Sequence, residues 1–568
     1  MFGLFNITLM LYGHLSAQEP RRFDVVIHEI FPDPSPAIGL PASEFIELRN
    51  ISGVAYNLRN WKISDGSATA TIAVNYILKP DSLVVICPSA AVVAYAVYGA
   101  TIGVAGFPSL NNDGDVISVH SPGNNIIHSI AYEPGWYNNA VKSEGGWALE
   151  MMDARNACGK ENNWKASIDA SGGTPGRNNS VQAINPDLGP PALLQTYTVD
   201  SVTVVAVFDE AVDSSTATTA KNYELQKGPL VVNAAPIPPG FKQVYLTMGG
   251  ALLPGMIYDL HVAGITDCAG NNIGIMNSAR SGLPSDADVG DLLINEILFN
   301  PTATGSDYVE VYNKSDKILD ASTLFLCNRN AVGVLSAPVK LSETPFLVFP
   351  ADFIVVTANT AAVKNQYSAV RPLALLSLAQ FPSLPDDKGS IVLLNHAGTI
   401  IDELAYDEKW HFPLLVNREG VSLERIDYGL ATQDKDNWTS AAADAGYGTP
   451  TGRNSQFKTH RYLQGKVEAD APVFSPDGDG HNDLCFLHYQ FPEPNNVAAV
   501  TVFDVNGMEI RRLYKNTSLS EKGVFRWDGL DDRGMPAAAG VYIILTQVFS
   551  MDGRHKNFKN AVTLARSF

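Results

Sequence analysis

The chain has few cysteines, few charges and no catalytic signature, and each absence closes off a class of function. Five cysteines (Cys87, Cys158, Cys268, Cys327 and Cys485) are scattered through 568 residues without a C-x-x-C spacing, so neither a zinc ribbon nor a thioredoxin-like redox pair has support. Charged residues make up 17% of the chain, and 40 Lys and Arg stand against 59 Asp and Glu, for a net charge of −19. No basic cluster could track a phosphate backbone, which removes nucleic acid from the expected partners. A G-x-S-x-G elbow, an H-E-x-x-H motif, a G-x-x-x-x-G-K-[ST] loop and a glycine-rich dinucleotide turn are all missing. The histidines are dispersed; His411 beside Trp410, and His555 in a polar stretch expected to turn, read as surface or hydrogen-bonding positions. Helical periodicity never holds for more than about three turns. Beyond the N-terminus no apolar run is long enough to cross a bilayer.

What is present is the composition of a turn-rich β protein. Apolar residues reach 45%, and 46 Gly and 34 Pro are spread along the chain rather than clustered as in a disordered segment. Runs such as DVVIHEI, DSLVVICPS, DVISVHS, FIVVTAN and SIVLLNH alternate with Gly, Pro, Asn and Asp about every 8–15 residues. This predicts an all-β chain of tandem antiparallel sandwiches, long enough for several separate cores. Short helices are expected near Ala90–Tyr98 and at the corresponding Ala361–Tyr367. The opening MFGLFNITLMLYGHLSAQEP has an apolar run from Phe2 to Leu11 and small residues up to Ala17. It reads as a secretory signal peptide, residues 1–17, although the usual Lys or Arg before the apolar run is missing. The mature chain is then expected to be exported and to contain no transmembrane segment.

The sequence also repeats itself about 270 residues apart. IHEIFPDP (Ile27–Pro34) and EFIELRN (Glu44–Asn50) return as INEILFNP (Ile294–Pro301) and DYVEVYN (Asp307–Asn313). FPSL at Phe107 returns at Phe381, IIHSIAY at Ile126 as IIDELAY at Ile400, NW at Asn163 at Asn437, and GTPGRN at Gly173 as GTPTGRN at Gly448. Similarity that preserves order marks a duplicated module of roughly 160 residues, suited to reach or multivalency more than to a single active site.

Aligning the copies sets Cys87 against Thr357, Cys158 against Thr432 and Cys327 against Ser64, so the shared fold does not need these thiols. For Cys158 and Cys268, both in polar loops, two readings stand: a bridge from the first module to the next domain, or buried free thiols. Glu29 and Glu47 recur as Glu296 and Glu310. As paired acids they would suit hydrolysis, but their place in apolar strands favours carboxylates that tie backbone N–H groups or a loop to the sheet. His28 becomes Asn295, which argues against an acid/base histidine shared by the copies. The aromatics of WYNN (Trp136–Asn139) and KWHF (Lys409–Phe412) hold matching places and either stack on sugar rings or close the end of a sandwich.

On these residues the two modules, 22–182 and 289–456, resemble lamin-tail domains, Ig-like sandwiches found in nuclear lamins and in many exported bacterial proteins. The resemblance is carried by the NEI or HEI strand, E-F-I-E-L-x-N, NLRNWKISD (Asn57–Asp65), the turns at Asp113–Asp115 and Lys388–Ser390, and the closing NW…GTPG. The second copy departs at NLRNWKISD, reading DASTLFLCN with Leu324 in the place of Trp61, so its core is expected to be repacked there. Between the modules, 186–284 resembles the Ig-like domain of bacterial S-layer and surface proteins. Its Val202, Val204 and Ala206 are expected on one inward face, and its D-x-A-G-N turn needs Gly270 for a positive φ. The last segment, 466–568, with FSPDGDGHND, VTVFDVNGMEIRRL, FRWDGLDDRG and AAGVYIILTQ, resembles hook-capping-type Ig-like folds and the gliding-motility-associated C-terminal domains of Bacteroidetes proteins. That resemblance implies export and surface attachment by type IX secretion machinery; here WDG follows FR instead of the usual W-G-W run.

One motif suggests a metal. Ser475, Asp477, Asp479 and Asp483 space oxygen ligands and glycines as calcium loops do, with Ser475 in place of a first Asp and no later bidentate Glu. Calcium is the expected ion; the alternative is an Asp-rich turn that caps its own N–H groups. The overall expectation is a non-enzymatic secreted or outer cell-surface structural or adhesion protein with sandwiches as spacers and binding units. Its partners would be a cell-surface or extracellular protein or glycan. The alternatives are a carbohydrate- or matrix-binding surface protein and, less favoured, an accessory subunit of an extracellular hydrolase. Short links near Asn179–Pro190, Leu283–Gly290 and Ser455–Gly465 imply limited bending.

Overall fold

A computed structural model describes residues 19–159, 161–458, 465–492, 496–550 and 555–566, so the expected signal peptide 1–17 lies outside the described residues. The chain's regular structure is dominated by strands, folded as tandem β-sandwiches. Two compact units form. The first runs to Ile294 and adds Leu298–Tyr406 and Pro450–Gly452; the second takes Asn295–Ile297, Asp407–Thr449 and the chain from Arg453.

In the first unit the opening module has a six-stranded sheet, in the order Trp164–Ala166, Leu149–Met151, Val25–Phe31, Phe45–Asn50, Leu83–Pro88, Thr101–Val104. All seven residues of Val25–Phe31 are buried, as expected for a central strand covered on both faces. One face packs on the sandwich core with Ile27, Ile46, Trp61 and Trp164. The other lies under Phe31, Phe45, Val85 and Tyr95, the last from a short helix, Val92–Tyr95, extended at its start by a turn at Ser89–Ala91. The helix expected at the corresponding point of the repeat spans Thr360–Gln366 and begins where the Asn359 side chain accepts from the Ala362 N–H. The second sheet of the opening module runs Ile126–Tyr132, Asp115–His120, Lys62–Ser64, Thr69–Thr71.

The asparagine ending E-L-x-N has a clear role. Asn50 Nδ2 donates to Val54 O and Leu78 O at 2.7 and 3.0 Å, and Asn313 Nδ2 donates to Lys317 O and Val348 O at 2.8 and 2.9 Å. Each closes the loop that leaves its strand. Trp61 and Leu324 are both buried, at 2% and 1% exposure, so a leucine does reach the core where the first copy has an indole.

The middle sandwich has sheets Leu193–Asp200, Thr203–Phe208, Gln243–Met248, Val231–Pro236 and Tyr223–Gln226, Tyr258–Val262, Ser278–Ser281. Val204 and Ala206 point into its core as expected, but Val202 does not. It precedes the strand in the turn after Asp200 and is 37% exposed. Gly270 has φ +92°, as the turn requires.

Cys158 and Cys268 are joined as a disulfide across 110 residues, with a Cα–Cα separation of 6.3 Å, which selects the bridged reading. Around this junction Arg22 lies over the Phe23 and Phe241 rings, and Ser129 Oγ donates to Pro239 O at 2.5 Å. Cys87, Cys327 and Cys485 are buried free thiols.

In the second unit the C-terminal sandwich pairs Lys466–Ala469, Cys485–Gln490 and Lys522–Trp527 in one sheet. The other contains Val473–Phe474, His555–Leu564, Gly540–Phe549, Asn496–Asp504 and Glu509–Leu519. Phe474, Trp527 and Tyr542 pack at its centre. His555 starts a strand rather than sitting in a turn.

Closing a loop of this length restricts the unfolded chain by about 4–5 kcal/mol in the loop-entropy model. In denaturant without reductant, alkylation is expected to label Cys87, Cys327 and Cys485 and to spare Cys158 and Cys268; five labelled thiols would rule the bridge out. A Cys158→Ser, Cys268→Ser variant should melt well below the parent chain.

Candidate functional site

The recurring glutamates form a fully buried polar assembly. Glu29 sits on a central strand opposite Glu47 on one neighbour and Glu150 on the other, and all three are fully buried. Three carboxylates side by side in an apolar sheet are tolerable only if donors reach them. The donors come from the closing G-T-P-G segment. Thr174 N–H donates to Glu29 Oε1 at 2.7 Å, Thr174 Oγ1 to Glu150 Oε1 at 2.9 Å, and Gly176 N–H to Glu47 Oε2 at 2.5 Å. Ser180 Oγ and Val181 N–H reach Glu150 Oε2 at 2.7 and 3.1 Å. Asn179 Nδ2 bridges the carbonyls of His28 and Met151. Gly176 has φ +76°, and a Cβ there would run into the Tyr98 carbonyl, so the turn that presents its N–H needs glycine.

The second copy repeats the bonds. Within the second unit, Thr449 N–H and Oγ1 reach Glu296 at 2.9 and 3.0 Å, Thr449 Oγ1 reaches Glu424 at 2.8 Å, and Ser455 Oγ and Gln456 N–H each reach Glu424 at 2.8 Å. Asn454 Nδ2 spans the carbonyls of Asn295 and Arg425. Within the first, Thr451 N–H donates to Glu310 Oε2 at 2.6 Å. The glutamates are latches for a loop, the reading their apolar strands favoured, rather than paired catalytic acids. Glu150 and Glu424 escaped the sequence reading; the recurring L-E dipeptides at Leu149 and Leu423 were the available signal.

Burial pushes Glu29 well above the usual carboxylate range, with Glu47 and Glu150 adding to it, and burial pushes Glu47 up to about 8 against the pull of the Gly176 N–H. Burial, then Arg49, holds His28 down to about 3, and its Nδ1 lies 3.3 Å from Glu47 Oε1. His128, fully enclosed, is held down to about 4.

The Asp-rich turn is a different kind of site. Asp477, Asp479 and Asp483 bring carboxylate oxygens within 4.8 Å of one another at the surface. Ser475 anchors the turn through its main chain, its N–H donating to Asn482 O and its carbonyl accepting from Asp477 N–H, each at 2.9 Å. Asp483 accepts from Gly478 N–H at 2.6 Å and Gly480 N–H at 2.9 Å, and these two N–H groups hold its carboxyl below the usual range. Asp477 and Asp479, both exposed, and Asp483, half-buried, on a glycine-rich turn are compatible with calcium, and the same carboxylates already cap backbone groups.

A second acidic cluster was not singled out from the sequence: Asp187, half-buried, with Glu210 and Asp267, both buried. Asp267 accepts from Asn271 N–H and Nδ2, each at 2.8 Å, in the turn next to Cys268.

The matching aromatics are not a matching sugar platform. Tyr137 and His411 point inward, at 6% and 2% exposure, and Trp136 packs at 6.3 Å from the buried Trp164, leaving Phe412 as the exposed ring of these segments. His411, read as a surface or hydrogen-bonding position, is the second of these: it is buried with Nδ1 2.8 Å from Ser440 Oγ. These residues close the ends of their sandwiches.

Residues 18–134 match the family model described as Lamin Tail Domain, which covers the front of the first module. No curated protein matches the chain. Among solved structures, the N-terminal part of the bacterial S-layer protein SbsC is 18% identical over 29% of this chain and 39% of that one, with a TM-score of 0.16. The chain thus spans about two fifths of that structure. A tetra-tandem repeat from the extending region of a large adhesion protein is 12% identical, covering 92% of this chain and 95% of that chain, with a TM-score of 0.14. A calcium-stabilised adhesin with which an Antarctic bacterium binds ice is 10% identical over 97% and 100%, with a TM-score of 0.13. Identities and scores this low carry no functional inference.

A carboxyl raised in the folded state contributes stability while protonated. That contribution is complete below the ordinary Glu value near 4.3 and lost as pH rises through about 8. The lowered histidines act the other way and cost stability below about 6.5. The melting temperature should therefore fall between pH 6.5 and 8.5, and Glu47→Gln should flatten that slope; an unchanged slope in the variant would show that Glu47 is ionised in its latch. At the Asp-rich turn, calcium should raise the melting temperature of the parent chain, and Asp477→Asn or Asp483→Asn should abolish the increment. Superimposable melts with calcium and with chelator would leave it a metal-free turn.

Proposed function

We propose that this chain is a non-enzymatic, exported cell-surface protein in which 22–182, 186–284 and 289–456 serve as spacers and binding units. In this reading 466–568 directs export and surface attachment through type IX-like machinery. The observation that carries it is the fate of the acidic residues repeated between the copies: their carboxylates are consumed in holding the closing segment of each module. A duplicated sandwich whose most buried polar groups are structural is built for length and repetition. The disulfide between the first module and the middle sandwich also fits an oxidising, extracytoplasmic location. No described helix is long and apolar enough to cross a membrane. If the Asp-rich turn takes calcium, the ion stiffens the entry to the last sandwich, since the turn follows directly in the chain on Phe474 of its core. The carbohydrate- or matrix-binding alternative loses its first support, because Tyr137 is buried, Trp136 and Trp410 are half-buried and Phe412 is exposed, so the WYNN and KWHF segments present no matching platform.

Localisation tests the reading. Full-length protein is expected to be cut by protease added to intact producing cells, and a version truncated before Phe474 is expected to remain in the periplasm. Retention of both in the periplasm would refute surface attachment and make the chain an envelope scaffold.

A further inference from the structure

The two copies differ in the loop that carries the disulfide. Glu150 to Trp164 and Glu424 to Trp438 align without a gap, which sets Cys158 against Thr432. In the second copy the indole Nε1 of the buried Trp438 donates to Thr432 O at 2.7 Å. In the first copy Trp164 is buried too, yet its Nε1 is enclosed and has no hydrogen-bond partner among the described residues. Asn156 Oδ1, two residues before Cys158, is a second enclosed atom without one. Leaving a buried donor unmade costs more than a typical hydrogen bond contributes, so the copy with the bridge forgoes an interaction that the copy without it makes. The acceptor that Trp164 lacks is the carbonyl of Cys158 itself, since Ala157 O before it is already taken by His128 Nε2 at 2.8 Å.

The same loop is tied to the link between the opening module and the middle sandwich. Ala183 N–H donates to Met152 O at 3.0 Å, Asn185 N–H to Asp153 Oδ2 at 3.0 Å, and Asn156 Nδ2 to Asn185 O at 2.9 Å. On the other side Asn271 Nδ2, in the turn that carries Cys268, donates to the carbonyls of Asp187 and Gly189 at 3.1 and 3.3 Å. The link 183–189 is therefore bonded to both cysteine loops, and the bridge that joins the loops clamps the link between them. Both cysteines are half-buried. Cys158 lines a hollow of about 370 Å³ between Ile130 and Trp136 of the first module and Pro239 and Phe241 of the middle sandwich, a way in for a small thiol.

We propose that the Cys158–Cys268 bridge is a redox-sensitive lock on this hinge. A small dithiol reductant attacks Cys158 Sγ and the S–S bond breaks, with Cys268 leaving as a thiolate that takes up a proton. The second thiol of the reductant then displaces Cys158 as a thiol and closes a cyclic disulfide, so two electrons and two protons pass to the protein. Once freed, the Cys158 loop takes the form of its counterpart, its carbonyl accepts from Trp164 Nε1, and the link loses its clamp. Magnetic resonance on the full-length chain, labelled with nitrogen-15, tests this. Of the seven indole N–H signals, the one that Trp164→Phe removes should move downfield on reduction with dithiothreitol and exchange at least tenfold more slowly. The Ala183 and Asn185 N–H groups should exchange at least tenfold faster. A Cys158→Ser, Cys268→Ser chain should match the reduced form without reductant. Because coupling is reciprocal, Trp164→Phe should also lower the equilibrium constant for reduction by dithiothreitol at least threefold. If that variant does not fold, the parent chain still decides: no indole signal moving downfield with slowed exchange, or a link whose exchange does not quicken, would overturn the lock.

Discussion

Everything in the repeated module depends on keeping buried carboxylates supplied with donors. Glu29, Glu47 and Glu150 occupy neighbouring strands where water cannot reach them, and mutual repulsion adds to the cost of desolvation. A sheet with three such groups and nothing on them would not be stable. The segment from Thr174 to Val181 makes it so, with N–H and hydroxyl donors placed by a turn that only glycine fits at Gly176. The first strand therefore depends on residues about 145 positions later, the kind of long-range contact whose loop-closure cost slows folding.

That dependence explains what the copies share and where they differ. The latch elements recur in chemistry and order: glutamates on the strands, then threonine, a backbone N–H and asparagine from the closing segment. Apolar positions vary more freely. Leu324 takes the place of Trp61 and Thr357 that of Cys87, and each is buried. A core accepts a change of shape by repacking its neighbours, but a buried carboxylate accepts no partner except a donor at hydrogen-bond distance. The thiols follow the same logic: Cys158 and Cys268 add a local staple that the second copy does without.

Strand positions, the repeat, the two short helices and the positive φ of Gly270 were readable because they depend on alternation of apolar residues and on turn chemistry, which are local properties. The failures have physical causes too. Val202 continues the alternation but sits one residue outside its strand, where the turn after Asp200 points it to solvent. His411 was open between a surface and a hydrogen-bonding histidine, and only the turn after Asp407, which folds it against Ser440, decides for the second. The WYNN and KWHF aromatics match in sequence, yet exposure depends on what the sandwich end packs against them.

The class of fold, the duplication and the Asp-rich turn are legible without coordinates, since periodicity, order and spacing are written along the chain. Folding alone settled what the acidic residues do, which cysteines pair, and that Arg280 and Arg371 share the carboxylate of Asp352. These outcomes join residues tens to more than a hundred positions apart, and whether a carboxylate is a latch, a ligand or a solvated charge depends on the donors that folding brings within about 3 Å of it.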